Sequence, residues 1–245
     1  MYVMYFFKSN IVISGLLKSL LKLLQATDAD VRLLVLQTFE ILVDRHDNRE
    51  KLSIPTISPG SVGLNGFPVR PDRADKTFVQ RKIGDIYRGF KTVLHEQSNS
   101  KEFLDAIYTT VALLSVETSG IDESAIYLLD LVDSMQSAAI KELALSTENR
   151  FSLHAVAISL LALLALTVNV PEIDSYVESV VDARQRKAPH MLPPLHEEYN
   201  PGLDPNTPDE DVVIVAETVK EALKNAGRDI QGKDHLIFTH YITIT

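Results

Sequence analysis

The chain has 245 residues, 45% of them hydrophobic, a formal net charge of -9 and no cysteine. This composition describes a globular chain with a sizeable core, and its acidic balance gives no general attraction for phosphate backbones, so nucleic acid is not an expected partner. Zero cysteines exclude disulfides, thiolate catalysis, cysteine zinc sites and S-palmitoylation of the chain as given, and with no Asn-x-Ser/Thr sequon they point to a cytosolic face.

The opening MYVMYFF is stopped by Lys8 and lacks the charged start, long apolar centre and cleavage site of a signal peptide. Helical spacing of apolar residues then predicts helices over residues 12–25, 28–46, 76–97, 101–119, 121–143, 148–168, 171–187 and 208–226, with no convincing run of strands. On the first helix Lys18 and Lys22 are one turn apart. The second opens as DADVRLLVLQTFEIL, like the second helix of a HEAT repeat, with Asp28 or Asp30 near the cap and Arg32 emerging from the first turn. Continued past the apolar stripe, it carries DRHDNREKL, residues 44–52, whose six charged side chains are expected to form a capped, salt-linked helix end in water. His46 and Glu50 are four apart, but two ligands do not make a metal site. The kinase catalytic-loop order His-Arg-Asp is scrambled here, and no glycine-rich phosphate loop precedes it.

Residues 53–75, rich in proline and glycine, are expected to form a mobile loop. Within it PGSVG has proline where a nucleophile elbow needs glycine, so Ser61 reads as a loop residue. HEQSN at His95 and HEEYN at His196 begin like the zincin motif, but Asn99 and Asn200 stand where the second histidine is needed. Amphipathic stripes run through Leu104, Ile107, Tyr108, Val111 and Leu114, and through Ala125, Leu128, Leu129, Val132, Met135 and Ala139, with Asp122, Asp130 and Asp133 off the second stripe. Residues 155–168 are apolar on all sides but shorter than a membrane span, which fits the centre of a helical stack. Pro171 suits a first helical turn, TPDE at residues 207–210 offers a capping box, and Gly227 can close that last helix. Arg184, Arg186 and Lys187 gather at a helix C-terminus, where cations are favourable; they read as solvated surface, with lipid contact, shared with Lys18 and Lys22, as the second reading.

Eight helices with mostly short links indicate an all-α, armadillo/HEAT-like helical-repeat solenoid. Residues 1–245 form one segment with two long loops, near 53–75 and 189–206, the second expected to pack partly along the surface.

The segments LVLQTFEILVDRHDNREKL, KIGDIYRGF and VVDARQRKAPHMLPP, in that order, resemble the Efr-three family, whose insect branch is known as Rolling blackout. The residues that carry the resemblance are Asp44, Arg45, His46, Asp47 and Asn48, then Ile86 and Tyr87, then Arg184, Ala188, Pro189, Leu192 and Pro193. The resemblance implies a non-enzymatic scaffold on the cytosolic face of the plasma membrane, without cofactor, that holds the type III alpha phosphatidylinositol 4-kinase complex there. It further implies membrane attachment through acylated cysteines near the N-terminus, helped by a basic surface, and contact with the tetratricopeptide-repeat and hyccin-like subunits through a distant C-terminal region. This chain has no cysteine and is much shorter than the family's chains, so both features are expected to lie outside it. MYVMYFFKSNIVI and HLIFTHYITIT carry none of that resemblance and are expected to be read-through at the ends of an incomplete gene model, leaving solenoid faces open to aggregation. An armadillo-type adaptor for another partner, and a lipid hydrolase with Ser61 as its least poor nucleophile, are the alternatives.

Overall fold

The computed structural model describes residues 12–94, 100–196, 198, 199 and 209–228. Its helices are α1 (Val12–Leu23), α2 (Ala29–Val43), α3 (Arg73–Thr92), α4 (Lys101–Glu117), α5 (Asp122–Lys141), α6 (Thr147–Val168), α7 (Pro171–Lys187) and α8 (Ala216–Asn225), and the described residues contain no strand. Short 3-10 turns at Glu50–Leu52, Pro59–Val62, Pro189–Met191 and Glu210–Val212 shape the connections.

Side-chain caps start four of these helices by satisfying amides that have no partner within the helix. Asp28 accepts from Asp30 N and Val31 N ahead of α2, Asp72 from Asp75 N ahead of α3, Ser100 from Phe103 N ahead of α4 and Ser146 from Asn149 N ahead of α6. Asn169 ends α6 in a left-handed conformation, and Pro171 opens α7 two residues later, where its missing N–H costs nothing.

The helices stack in two layers. α2, α4 and α6 pack in one row, α3 lies on α5 in the other, and α5 pairs closely with α6. One continuous apolar core runs between the layers. α6 touches α4, α5 and α7, so a helix apolar on every side is the one that fits there. It is the single described helix long and apolar enough to cross a membrane, and nearly all of it is buried. A second, small apolar cluster of Phe151, Ala183, Ala188, Met191 and Val212 lies apart from the main core.

Three expectations change. The segment 53–72 is pinned rather than mobile: Lys51 Nζ donates to Gly63 O and Asn65 Oδ1, Val69 N donates to Ser119 Oγ, and Pro55, Pro59 and Val69 are buried. α3 accordingly starts at Arg73, because Asp72 caps it. The last helix starts at Ala216, after a 3-10 turn at Glu210–Val212, instead of at the TPDE box, whose Thr207 and Pro208 lie outside the described residues. Gly227 does adopt a positive φ at its end. Asp130, expected off the buried stripe of α5, is itself buried and paired with Lys91 at 2.9 Å, since α3 covers that side.

Candidate functional site

The stretch 44–48 does not continue α2 into water. α2 stops at Val43, where Asp44 leaves the helix in an extended conformation; Arg45, His46 and Asn48 turn inward, while Asp47, Arg49 and Glu50 stay exposed. The Asp44 carboxylate accepts from Asn48 N at 2.8 Å and Arg49 N at 2.9 Å, closing a tight loop. Asn48 is fully buried and exchanges two hydrogen bonds with the Asn65 backbone, at 3.0 and 2.7 Å. Asn65 Nδ2 returns to the carbonyls of His46 and Asp47. A Cβ at Gly66, which has φ +65°, would run into the His46 ring, so glycine is required there for both space and conformation.

Arg45 bridges three helices. From the end of α2 its Nε donates to Glu117 Oε2 of α4 at 2.7 Å, its Nη1 to Asp75 Oδ2 of α3 at 2.8 Å and its Nη2 to the Glu117 carbonyl at 3.2 Å. His46 Nδ1 lies 2.8 Å from Glu117 Oε1. Burial works against the Arg45 cation, but Glu117 and Asp75 more than offset it and raise its pKa. The solvated helix end expected for these residues is thus corrected to an interior polar joint. Sequence reasoning missed its acidic half: Glu117 is the one carboxylate in the apolar run VALLSVE that ends α4, an isolation that could have marked it.

The second stretch, residues 184–193, is also a joint. Arg184 is fully buried in α7, not a surface cation available to lipid. Its Nε donates to Val212 O at 2.9 Å and its Nη1 to His154 O at 2.8 Å and Met191 O at 2.9 Å, so one guanidinium ties α6, α7 and both following turns. Burial holds its pKa down to about 9. Ala188 and Leu192 are buried, Pro193 is half-buried and Pro189 is exposed. Arg186 and Lys187 face solvent, as Lys18 and Lys22 do on α1, and Lys187 pairs with Asp209 and Asp211. Ile86 and Tyr87 are core residues of α3.

An open groove of about 360 Å3 has Ile54, Pro55, Ile57 and Val62, from the segment after the first joint, on one side and Pro193 and Pro194, at the end of the second, on the other. Nothing in either joint is arranged for covalent chemistry. The exposed Ser61 hydroxyl donates to Ser58 O at 2.7 Å, and His46 is turned to Glu117. Among the described residues no three histidine or acidic side chains converge on a metal position. HEQSN at His95 lies outside the described residues, as do Glu197 and Asn200 of HEEYN.

One surface feature escaped the sequence reading. α3 carries six basic residues and two acidic ones. Of those acids Asp75 is turned inward to Arg45, while Arg73, Lys76, Arg81 and Arg88 are exposed.

Helices stacked in two layers, with polar joints that hold them together, define the class: an all-α helical-repeat protein of the armadillo/HEAT type. The family model described as "EFR3, armadillo repeat" matches residues 4–224. The mouse protein EFR3 homolog B is 32% identical over 194 residues, covering 76% of this chain and 23% of the mouse protein. The Drosophila melanogaster protein EFR3 homolog cmp44E is 31% identical over 219 residues, or 89% of this chain and 26% of its own. The Caenorhabditis elegans protein EFR3 homolog is 27% identical over 247 residues, or 90% and 28%. The chain belongs to the EFR3 family, and it spans about a quarter of the length of these curated relatives. No solved structure gives a significant match.

Proposed function

We propose that this chain is part of a non-catalytic scaffold at the cytosolic face of the plasma membrane that helps recruit and anchor a phosphatidylinositol 4-kinase complex. The observation that carries the reading is the family match over residues 4–224, nearly the whole helical stack. Anchoring acts through effective concentration: a kinase held at the membrane meets its lipid as a local event. The exposed cations of α3, with Lys18 and Lys22 on the neighbouring α1, support a membrane-facing side, since each basic residue close to an anionic leaflet contributes about 1 kcal/mol. Contact with the tetratricopeptide-repeat subunit and an acylated N-terminus belong to the longer family chains in this reading.

The test is the amount of this kinase at the plasma membrane in cells depleted of the gene product. The expected result is a clear drop, restored by a full-length EFR3 relative and restored less well when the residues of that relative aligned with Arg81 and Arg88 are changed to glutamate. An unchanged kinase level would remove the kinase from the function.

A further inference from the structure

We infer that His154 makes the strap formed by residues 188–196 and 209–214 an acid-sensitive latch: when its imidazole takes up a proton, the strap lets go of α6 and α7. His154 lies in the middle of α6, 1% exposed, and neither of its ring nitrogens has a hydrogen-bond partner. The ionisable groups that face it are two cations, Arg150 one turn earlier on α6 and Arg184 from α7, and the His190 imidazole from the strap, whose own pKa is lowered by burial and by Arg184. Burial first, and these neighbours next, hold the imidazole well below its ordinary pKa, so it is neutral while the strap is closed.

The strap is closed by the Arg184 guanidinium, which reaches Met191 O and Val212 O on it and His154 O beneath it. Under the strap lies the small apolar cluster of Phe151, Ala183, Ala188, Met191 and Val212, with the His190 ring edge-on to Phe151 at 4.3 Å between centroids. That cluster is separate from the main core, but the strap also reaches the core through Leu192, Leu195 and Ile214, and Ile214 exchanges two hydrogen bonds with Gln136 of α5, so opening has to release those contacts as well while the helices beneath keep their own backbone bonds. A protonated His154 would add one more positive charge to a dry site already holding buried arginine. Opening relieves this by admitting water and removing His190.

The sign follows from linkage. The imidazole of the closed state has a lowered pKa, so the stability of closure is fully present above the free-histidine value near 6.5 and is lost as pH falls below it. Opening would also dismantle one wall of the groove at residues 50–57, because Pro193 and Pro194 belong to the strap.

Hydrogen exchange read by mass spectrometry on the whole chain, at pH 7.5 and 5.5 and corrected for intrinsic exchange rates, tests the latch. Opening of residues 188–196 and 209–214 is expected to rise about tenfold per pH unit below 6.5, with α4 and α5 unchanged. His154→Leu should remove most of this dependence, leaving only the part that His190 contributes through its own lowered pKa, and His190→Gln should keep most of it. Equal protection at both pH values, a dependence undiminished in His154→Leu, or one that disappears in His190→Gln would each overturn the proposal. If His154→Leu does not fold, the imidazole resonances of the unmodified chain decide. The His154 ring should titrate only together with strap opening, and titration near 6.5 beneath a protected strap would sink the idea.

Discussion

Glu117 and Arg45 stand 72 positions apart in the chain, yet the carboxylate is fully buried and the guanidinium nearly so. Withdrawing such a pair from water costs several kcal/mol unless each charge is met by the other and by further hydrogen bonds. Here Arg45 spends three of its donors on Glu117 and Asp75. Arg45→Ala should therefore cost about 3–5 kcal/mol in denaturant unfolding, because it strands a buried carboxylate. Combining it with Glu117→Gln should cost clearly less than the sum of the single changes, and simple additivity would show that the two side chains do not act as a pair. The composition of this cluster was legible in the sequence, but its direction was not, since its acidic partners belong to α3 and α4. Arg184 is more legible in the sequence than its place beside Arg186 and Lys187 suggests. Ile173, Val177, Val180 and Arg184 follow one another at helical spacing, so the arginine shares a stripe with three buried residues while Arg186 and Lys187 do not. Arg32 repeats the pattern at the start of α2, on the stripe of Val35, Phe39 and Val43. It is buried, with Nη1 on the carbonyls of Ala26 and Thr27, instead of emerging from the first turn.

At the level of the element, α3 shows how one helix answers to several neighbours. Phe78, Val79, Ile83, Ile86, Tyr87 and Phe90 fill its core side, Gln80 and Lys91 reach α5, and the remaining arc carries the exposed cations. α1 approaches it at Gly89, where a Cβ would stand 2.8 Å from Leu21 Cδ2. Gly89→Val should push α1 away at a cost of about 1–3 kcal/mol. The measurement is amide exchange over residues 15–24, expected to accelerate while α4 to α6 stay protected. Unaltered protection of α1 would mean that this close approach does not seat it. The helix boundaries read from periodicity are good where an apolar stripe meets a clear stop signal, as at Pro171–Lys187 with proline in its first turn, and poor where the local signal is polar. The cap at Asp72 is hard to see in the sequence because its surroundings look like loop, and TPDE carries the stronger local signal although the chain makes a further turn before Ala216.

For the whole molecule, stacking leaves the outer side of α2 open. Leu34 and Ile41, two turns apart, are 63% and 69% exposed on the helix that begins the α2, α4, α6 row. A solenoid repeat normally buries such residues under its neighbour. Leu34→Ser with Ile41→Ser should leave unfolding stability within about 0.5 kcal/mol and raise the monomer fraction of the purified chain in size-exclusion chromatography with light scattering. A parent chain that already runs as a pure monomer at high concentration would show that this face is not adhesive.

By itself the sequence determined that the regular elements of the described chain are helices, that α6 lies at the centre, and that its signature segments are those of one family; each follows from periodicity and local residue order, which a chain carries regardless of its partners. The tertiary structure alone decided which charges go inside, which acid meets Arg45, why His154 lies among cations, and that residues 50–57 face Pro193 and Pro194. Periodicity records which face of a helix is apolar. It does not record which distant helix will supply the counter-charge or the opposite wall, because those contacts exist only after the layers have stacked.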